Sequence, residues 1–260
     1  MLKIAFLFLT ISGIYHEEYW QDFFRGNEQQ YSIYVHSKYN LNPHSWFKPF
    51  ELPYKMENSW ERTMRCQIGM LKEALKDPDN HMFIFCSHNT LPLQSFNFIY
   101  DELISIGKSM FKYEKNPHMD PEDKGAYQEH RVLKPIPKEK QYKNAQWIIL
   151  NRQHAQMMVN DEQIIRIVSC YSCDNEHYPS TFLALHGLLN EVHKKEGTLV
   201  AWHLNKCPPY IFRDLDIKQE YQTLTDAITY GTYFVRKIDE NCRLKPLDNF
   251  LAYRPIVKDK

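Results

Sequence analysis

Short continuous runs of apolar and β-branched residues alternate along the chain with segments whose apolar positions recur at helical spacing. The runs predict strands at residues 4–10, 31–36, 82–86, 146–150, 198–202 and 233–235. The helical spacing predicts helices at residues 17–25, 60–75 and 96–106, around Ala155, and beginning near Glu176. Because strands and helices alternate, we expect an α/β fold with a mainly parallel sheet flanked by helices on both faces.

Residues 113–144 differ from the rest of the chain, since they are rich in Lys, Glu, Pro, Asp and Tyr and have hardly any aliphatic periodicity. We therefore predict a long surface loop there. Loops of this length in a compact domain tend to be functional, so we expect a lid or acceptor platform that is mobile until ligands bind. We see no internal repeat and no linker, and residues 1–260 are predicted to form a single domain.

The composition of the chain argues against some partners and some cellular locations. The 32 basic and 32 acidic residues cancel, so bulk electrostatic binding to nucleic acid or to an anionic membrane is not expected. No stretch approaches 18 apolar residues, and the apolar start lacks a signal cleavage pattern. Six thinly spread cysteines and the lack of any Asn-x-Ser/Thr site favour a reducing, cytoplasmic setting. We interpret Cys170-x-x-Cys173 as structural.

The polar segment at residues 171–179 contains the first candidate for chemistry. It runs into an apolar stripe formed by Phe182, Leu185 and Leu189, which places Glu176 in or just before the first turn of a helix. The backbone N–H groups at that end favour an ionised carboxylate, which can accept a proton. The alternative interpretation is that Glu176 only caps the helix.

Three other polar groups each have two interpretations. Arg236 and Lys237 end a predicted strand, where they form either an anion-binding pair or a solvated strand end. His36 ends another strand and is either a ligand contact or a neutral, hydrogen-bonded histidine. The Asp-x-Asp triplets at 77–79 and 214–216 do not follow a strand into a ligand cleft, so we predict capping for both and no metal site.

An ordered set of six segments resembles the core-2/I-branching glycosyltransferase family, including its plant and microbial relatives. The six segments are residues 4–10 with 20–24 and 31–36, 60–62, 83–93, 127–137 with 146–147, 175–178, and 234–237. The resemblance implies a GT-A-type fold and inverting transfer of a sugar from a UDP-sugar to a hydroxyl of a glycan acceptor. The implied donor sugar is N-acetylglucosamine, with xylose and glucose as alternatives, and neither a metal nor a cofactor is implied.

The resemblance also implies roles for individual residues. The catalytic base of the family falls on Glu176, although Asn175 stands where the family has Asp. The implied donor-binding residues are His36, Ser37, Ser87, Lys206, Arg236 and Lys237. The implied acceptor-binding residues are Arg131, Lys134, Gln146, Trp147 and Trp202.

Two other classes of protein are compatible with parts of this pattern. An inactive sugar- or nucleotide-binding protein of the same fold would keep the aromatic residues but would not need Glu176 and Lys237 together. A nucleotidyltransferase would need a metal-binding carboxylate pair after a strand, and we find none. Relatives in the secretory pathway carry an N-terminal anchor, so we expect either a cytoplasmic microbial or viral enzyme or a trimmed catalytic domain.

Overall fold

A four-stranded sheet forms the centre of the computed structural model, which describes residues 1–57, 59, 62–117, 133–205, 208–215 and 217–244. Its strands are β1 (Lys3–Thr10), β2 (Tyr31–Ser37), β3 (Asn80–Ser87) and β7 (Ile149–Asn151). The order is β2-β1-β3-β7, with β1 parallel to both neighbours and β7 antiparallel to β3. The carboxyl ends of the three parallel strands therefore meet at one edge, where ligands bind in open α/β sheets.

Helices cover both faces of this sheet. They are α1 (Glu17–Phe24), α2 (Met64–Ala74), α3 (Phe96–Ile106), α4 (Arg152–Val159), α5 (Gln163–Val168), α6 (Asp174–Leu185) and α7 (Lys218–Thr229). Alternate residues of β1 point to opposite faces, as the period of a strand requires. Phe6 and Phe8 pack with α1, α3 and α7, whereas Ala5 and Leu7 pack with α2, α4 and α6.

Three smaller sheets extend this core. The short strands β4 (Leu91–Pro92) and β8 (Thr198–Val200) flank β10 (Phe234–Arg236). A second sheet pairs β9 (Phe212–Asp214) with β11 (Ile238–Arg243). The third is the antiparallel pair β5 (Tyr113–Lys115) and β6 (Tyr142–Asn144). Among the described residues, no helix is both long and apolar enough to cross a membrane.

The structure confirms the α/β class and the parallel arrangement of the first three strands. The predicted strand at 146–150 begins later, at Ile149, and the strand at 198–202 ends earlier, at Val200. β4, β9, β11 and α5 were not predicted, because elements this short or this polar show little periodicity. α7 was also missed, although its buried residues Leu224, Ala227 and Ile228 have helical spacing.

The prediction of a loop at residues 113–144 is wrong for both ends of this segment, which form strands. It begins and ends in the paired strands β5 and β6, where the rings of Tyr113 and Tyr142 lie 6.0 Å apart. Leu133 and Ile136 are buried in the core, and the buried side chain of Gln141 bonds the backbone of both residues. The expectation of an unpacked segment therefore fails for residues 133–144. Residues 118–132 lie outside the described part of the chain.

Candidate active site

An open cleft of about 500 Å³ lies between β6, the start of α6, and the ends of β8 and β10. It contains both a carboxylate and a guanidinium group together with aromatic and amide side chains. Its described lining includes six residues that could contact a ligand, namely Lys143, Gln146, Trp147, Glu176, Trp202 and Arg236. The sequence predicted five of these six as site residues, and the fold brings those five together from four separate segments of the chain. Lys143 was not predicted.

Glu176 is the third residue of α6, as its predicted place in the first helical turn requires. The turn is closed by Cys173, whose left-handed backbone (φ 54°) lets its carbonyl accept the Glu176 N–H at 2.8 Å. The Glu176 carboxylate is about one-quarter exposed, and Oε2 lies 3.5 Å from Lys143 Nζ. Within the described residues this carboxylate accepts no backbone N–H, so it does not cap the helix.

The capping role belongs to Asp174, two residues earlier. Its buried Oδ1 accepts the backbone N–H groups of Thr63 at 3.0 Å, Met64 at 3.1 Å and Asn175 at 2.7 Å. One carboxylate thus serves the first turns of both α2 and α6. Burial raises the pKa of Asp174 to about 6, although the three hydrogen bonds oppose the rise.

Arg236, the last residue of β10, enters the cleft between two neighbours. Its Nε donates to Ser87 Oγ at 3.1 Å, and its Cζ lies 4.6 Å from the centre of the Trp147 ring. Burial lowers the pKa of the Arg236 guanidinium to about 10, and the charge of Glu176 partly opposes this. Arg236 therefore remains a cation at neutral pH, in a site where its charge is poorly solvated.

His88 lies close enough to Arg236 and Lys237 for their charges to act on it. Burial, together with the charges of Arg236 and Lys237, lowers the pKa of His88 to about 4, so this imidazole is neutral at pH 7. Its ring meets the Tyr15 ring edge-on at 5.1 Å. The described lining of the cleft includes Arg236 but not Lys237, whose backbone carbonyl accepts the Phe212 N–H at 2.8 Å.

The predicted nucleoside contacts lie elsewhere, at the carboxyl end of β2. His36 is fully buried, and its Nε2 accepts the Met56 N–H at 2.9 Å. Burial is the first cause that lowers the pKa of His36, which agrees with the neutral histidine considered above. Ser37 is also fully buried, and its hydroxyl donates to the backbone carbonyl of Tyr39. Neither side chain is exposed to a ligand in this arrangement.

The remaining predicted residues are not brought into the cleft by the described structure. Lys134 is exposed in the turn before the 3₁₀ segment Lys138–Lys140 and is absent from the described lining. Arg131 and Lys206 lie outside the described residues. A larger cavity of about 790 Å³ lies between α2 and α5, but its described lining contains none of the predicted site residues.

The described residues contain no group of three or more His, Cys, Asp or Glu side chains that could hold a metal ion. In the first Asp-x-Asp triplet, Asp77 accepts the Asp79 N–H at 2.9 Å and pairs with Lys3 at 3.0 Å. Asp77 therefore stabilises the turn before β3 and does not cap a helix, which differs from the capping role that the sequence predicts. In the second triplet, Asp214 ends β9, while Asp216 is outside the described residues.

Lys143 is a cleft residue that the sequence did not predict, whereas His88, directly after Ser87, was expected to border the donor sugar. Lys143 is the middle residue of β6 and lines the cleft, whereas the side chain of the next residue, Asn144, bonds Ser180 of α6, as the alternation along a strand predicts. Recognising the strand would have revealed this alternation. His88 follows β3 directly at the carboxyl edge, which is a position that signals ligand contact in such sheets.

The fold and the cleft together define an α/β protein with one polar, aromatic-lined site beside its central sheet. The model of the Core-2/I-branching enzyme family matches residues 4–224, and the chain belongs to that family. Glycosyltransferase BC10 of Oryza sativa subsp. japonica is 30% identical over 245 residues, which cover 78% of this chain. The chain spans 58% of the length of that rice protein.

A solved structure, that of A197 from STIV, aligns with 62% of this chain and 69% of its own. The sequence identity is 10% and the TM-score is 0.30, which is too low to support an argument about fold or function.

Proposed function

We propose that this protein is an inverting glycosyltransferase of the GT-A type, which moves a sugar from a UDP-sugar to a hydroxyl group of a glycan acceptor. The observation that carries the proposal is that Glu176 and Arg236 face the same cleft, beside Gln146 and two tryptophans. Membership of the Core-2/I-branching enzyme family supports it, as does the name of the rice relative, a glycosyltransferase.

In this scheme Glu176 is the general base. Its carboxylate takes the proton of the acceptor hydroxyl while the oxygen attacks the anomeric carbon, and the bond from that carbon to the UDP oxygen breaks. Solvent exposure of about one-quarter leaves the carboxylate reachable by an acceptor in the cleft.

In this proposal the departing diphosphate is held by Arg236, which lines the cleft, and Lys237, which follows it and is not in the described lining, is the second cation predicted for this role. Consecutive cations at the end of β10 can each offer charge-assisted hydrogen bonds to phosphate oxygens. Such bonds supply the charge stabilisation that a divalent cation provides in other transferases, so we propose that transfer is independent of metal and of any cofactor. His88 beside them is neutral and would add a hydrogen bond without adding charge.

The donor sugar in this proposal is N-acetylglucosamine, with xylose and glucose as the alternatives. These sugars differ by one or two polar groups, which a pocket distinguishes only through the hydrogen bonds it offers them. The acceptor would lie against Trp202, whose side chain is 50% exposed in the cleft, because aromatic faces stack on the apolar C–H side of sugars. We propose a glycan as the acceptor, and no nucleic acid as a partner.

The test is release of UDP from UDP-N-acetylglucosamine, UDP-xylose and UDP-glucose, each measured with and without EDTA. We expect slow hydrolysis of one donor that EDTA leaves unchanged and that a matching acceptor accelerates. Loss of activity in EDTA with recovery in manganese would contradict metal independence. Binding of UDP without any turnover would favour the inactive binding protein, and an absence of both would contradict the whole proposal.

A further inference from the structure

The guanidinium of Arg236 is held on two sides by residues from distant parts of the chain. Its Nε donates to Ser87 Oγ at 3.1 Å, and Trp147 covers one face with its ring centre 4.6 Å from Cζ. Within the described residues, the bond from Nε is the only hydrogen bond that the Arg236 side chain makes. Both terminal NH₂ groups therefore remain available to a ligand.

Ser87 is itself fixed by a small hydroxyl network. Its buried Oγ donates to Asn89 Oδ1 at 2.8 Å and lies 2.8 Å from Thr90 Oγ1, which also accepts the Ser87 N–H at 3.1 Å. Because the Ser87 hydroxyl hydrogen points to Asn89, an oxygen lone pair is left to accept the hydrogen bond from the Nε–H group of Arg236. The acceptor of that hydrogen bond is therefore oriented before any ligand arrives.

Trp147 is anchored from the opposite side. The next residue, Ile148, accepts the Phe85 N–H at 3.1 Å, which ties this segment to β3, the strand that ends in Ser87. The Trp147 side chain is only 7% exposed and has the Arg236 guanidinium over its ring. A sugar cannot stack on a ring face that a guanidinium already covers, whereas the half-exposed Trp202 offers a free surface.

We propose that Trp147 and Ser87 are positioning residues that aim the terminal NH₂ groups of Arg236 at the leaving diphosphate. This inference rests on the proposed function and assigns Trp147 to the donor half of the reaction. Arginine has a flexible side chain, and holding its planar head in place before binding reduces the entropy lost when the ligand binds. Stacking on a tryptophan also compensates a poorly solvated guanidinium for part of its lost hydration.

The test measures UDP affinity by titration calorimetry, without any acceptor. Trp147→Leu should weaken UDP binding by about 5- to 30-fold, the effect of losing a partly desolvated cation–π contact. Trp147→Phe keeps an aromatic face and should restore most of the affinity. Ser87→Ala should weaken binding by roughly 10-fold, as expected for a hydrogen bond to a charged group. Tyr230→Leu is the control, because Tyr230 is an 81% exposed aromatic residue outside the described cleft lining, and UDP affinity should not change.

A second readout follows Arg236 directly. The Nε–Hε signal of Arg236 in a ¹H–¹⁵N spectrum, assigned by its loss in Arg236→Lys, should carry a ring-current shift that Trp147→Leu removes. If Trp147→Leu does not fold, as judged by circular dichroism, Ser87→Ala carries the binding test alone.

The outcomes separate this inference from the proposed function. If Arg236→Ala abolishes UDP binding while Trp147→Leu and Ser87→Ala bind as the wild type does, the positioning role is wrong and the proposed function stands. If the wild-type protein does not bind UDP at all, both are wrong. Failure of Trp147→Phe to restore affinity would also overturn the role of an aromatic face.

Discussion

Asp174 and Glu176 are separated by one residue, yet their carboxylates occupy different environments. Asp174 is buried and accepts three backbone N–H groups, while Glu176 is partly exposed in the cleft and faces Lys143. In a helix these two positions point to nearly opposite sides. The capping role and the proposed catalytic role therefore belong to two different carboxylates. The sequence alone could not assign the capping role to Asp174 and the catalytic role to Glu176.

The burial of Asp174 predicts a pH dependence of stability. Its folded pKa of about 6 lies above the ordinary value of 3.8, so the protonated form favours the folded state. The stabilisation is fully present below pH 3.8 and is lost as the pH rises through 6. The difference of roughly two between these pKa values corresponds to a loss of ~3 kcal/mol in the free energy of unfolding between low and neutral pH.

Asp174→Asn should reveal this dependence, because the amide keeps the accepting Oδ1 but cannot ionise. Relative to the wild type, we expect the variant to be more stable at pH 7.5 than at pH 4.5 by about 2 kcal/mol in the free energy of unfolding, because part of the loss has already occurred at pH 4.5. Urea unfolding at both pH values measures this difference. An equal difference at both pH values would mean that Asp174 does not titrate in this range.

At the scale of elements, a side chain of β6 supplies hydrogen bonds that α6 lacks because of its internal proline. Pro179 lies inside α6 and has no N–H, so the carbonyl of Asn175 lacks its usual donor four residues ahead. Asn144 Nδ2 of β6 donates to that carbonyl at 3.2 Å, and its Oδ1 accepts the Ser180 N–H at 3.2 Å and hydroxyl at 2.8 Å. The turn that carries Glu176 is therefore held by a side chain from another element.

Asn144→Ala should destabilise the protein by about 2–4 kcal/mol, because it leaves buried groups of Asn175 and Ser180 without their partner. Asn160→Ala is the matched control, since Asn160 is exposed and its side chain bonds only the carbonyl of Gln156 among the described residues. The control should change stability by less than about 0.5 kcal/mol. Similar unfolding midpoints for both variants would contradict this account of α6.

Local signals in the sequence placed two site residues, Glu176 and Arg236, whereas Gln146, Trp147 and Trp202 rested on the family resemblance alone. Glu176 could be placed from the stripe that follows it, and Arg236 from the strand that precedes it. The stacking of Arg236 on Trp147 joins positions 89 residues apart (236 − 147), and no periodicity encodes such a contact. β6 was missed because three residues are too few to show alternation, and Lys143 was missed with it.

At the scale of the whole molecule, β1 and β3 were predictable because they are buried on both faces and read as continuous apolar runs. The edge strand β2 is partly exposed and was predictable from its aromatic and β-branched residues. Two cores on opposite faces of the sheet follow from the alternation along β1. The short strands of the smaller sheets were not predictable, because their stability comes from partners distant in sequence rather than from their own residues.

Phe6 lies at the centre of one core, and its ring meets those of five other aromatic residues. The ring centroids lie between 4.9 and 6.4 Å from those of Trp20, Phe23, Phe24, Phe96 and Phe234. We expect Phe6→Ala to lower the free energy of unfolding by about 3–5 kcal/mol, because it leaves a cavity in the core. Tyr230→Ala, at an 81% exposed position, is the control for urea unfolding. Equal losses in the two variants would contradict this description of the core.

The central claim is that Glu176 is the base of a glycosyl transfer, and the turnover of Glu176→Gln tests it most directly. With UDP release as the assay, we expect the rate to fall by a factor on the order of 10² to 10⁴ while UDP affinity stays near the wild-type value. Glu18→Gln changes an exposed carboxylate in the first turn of α1 and should keep the wild-type rate. A Glu176→Gln rate close to that of the wild type would contradict the claim and remove Glu176 from the mechanism.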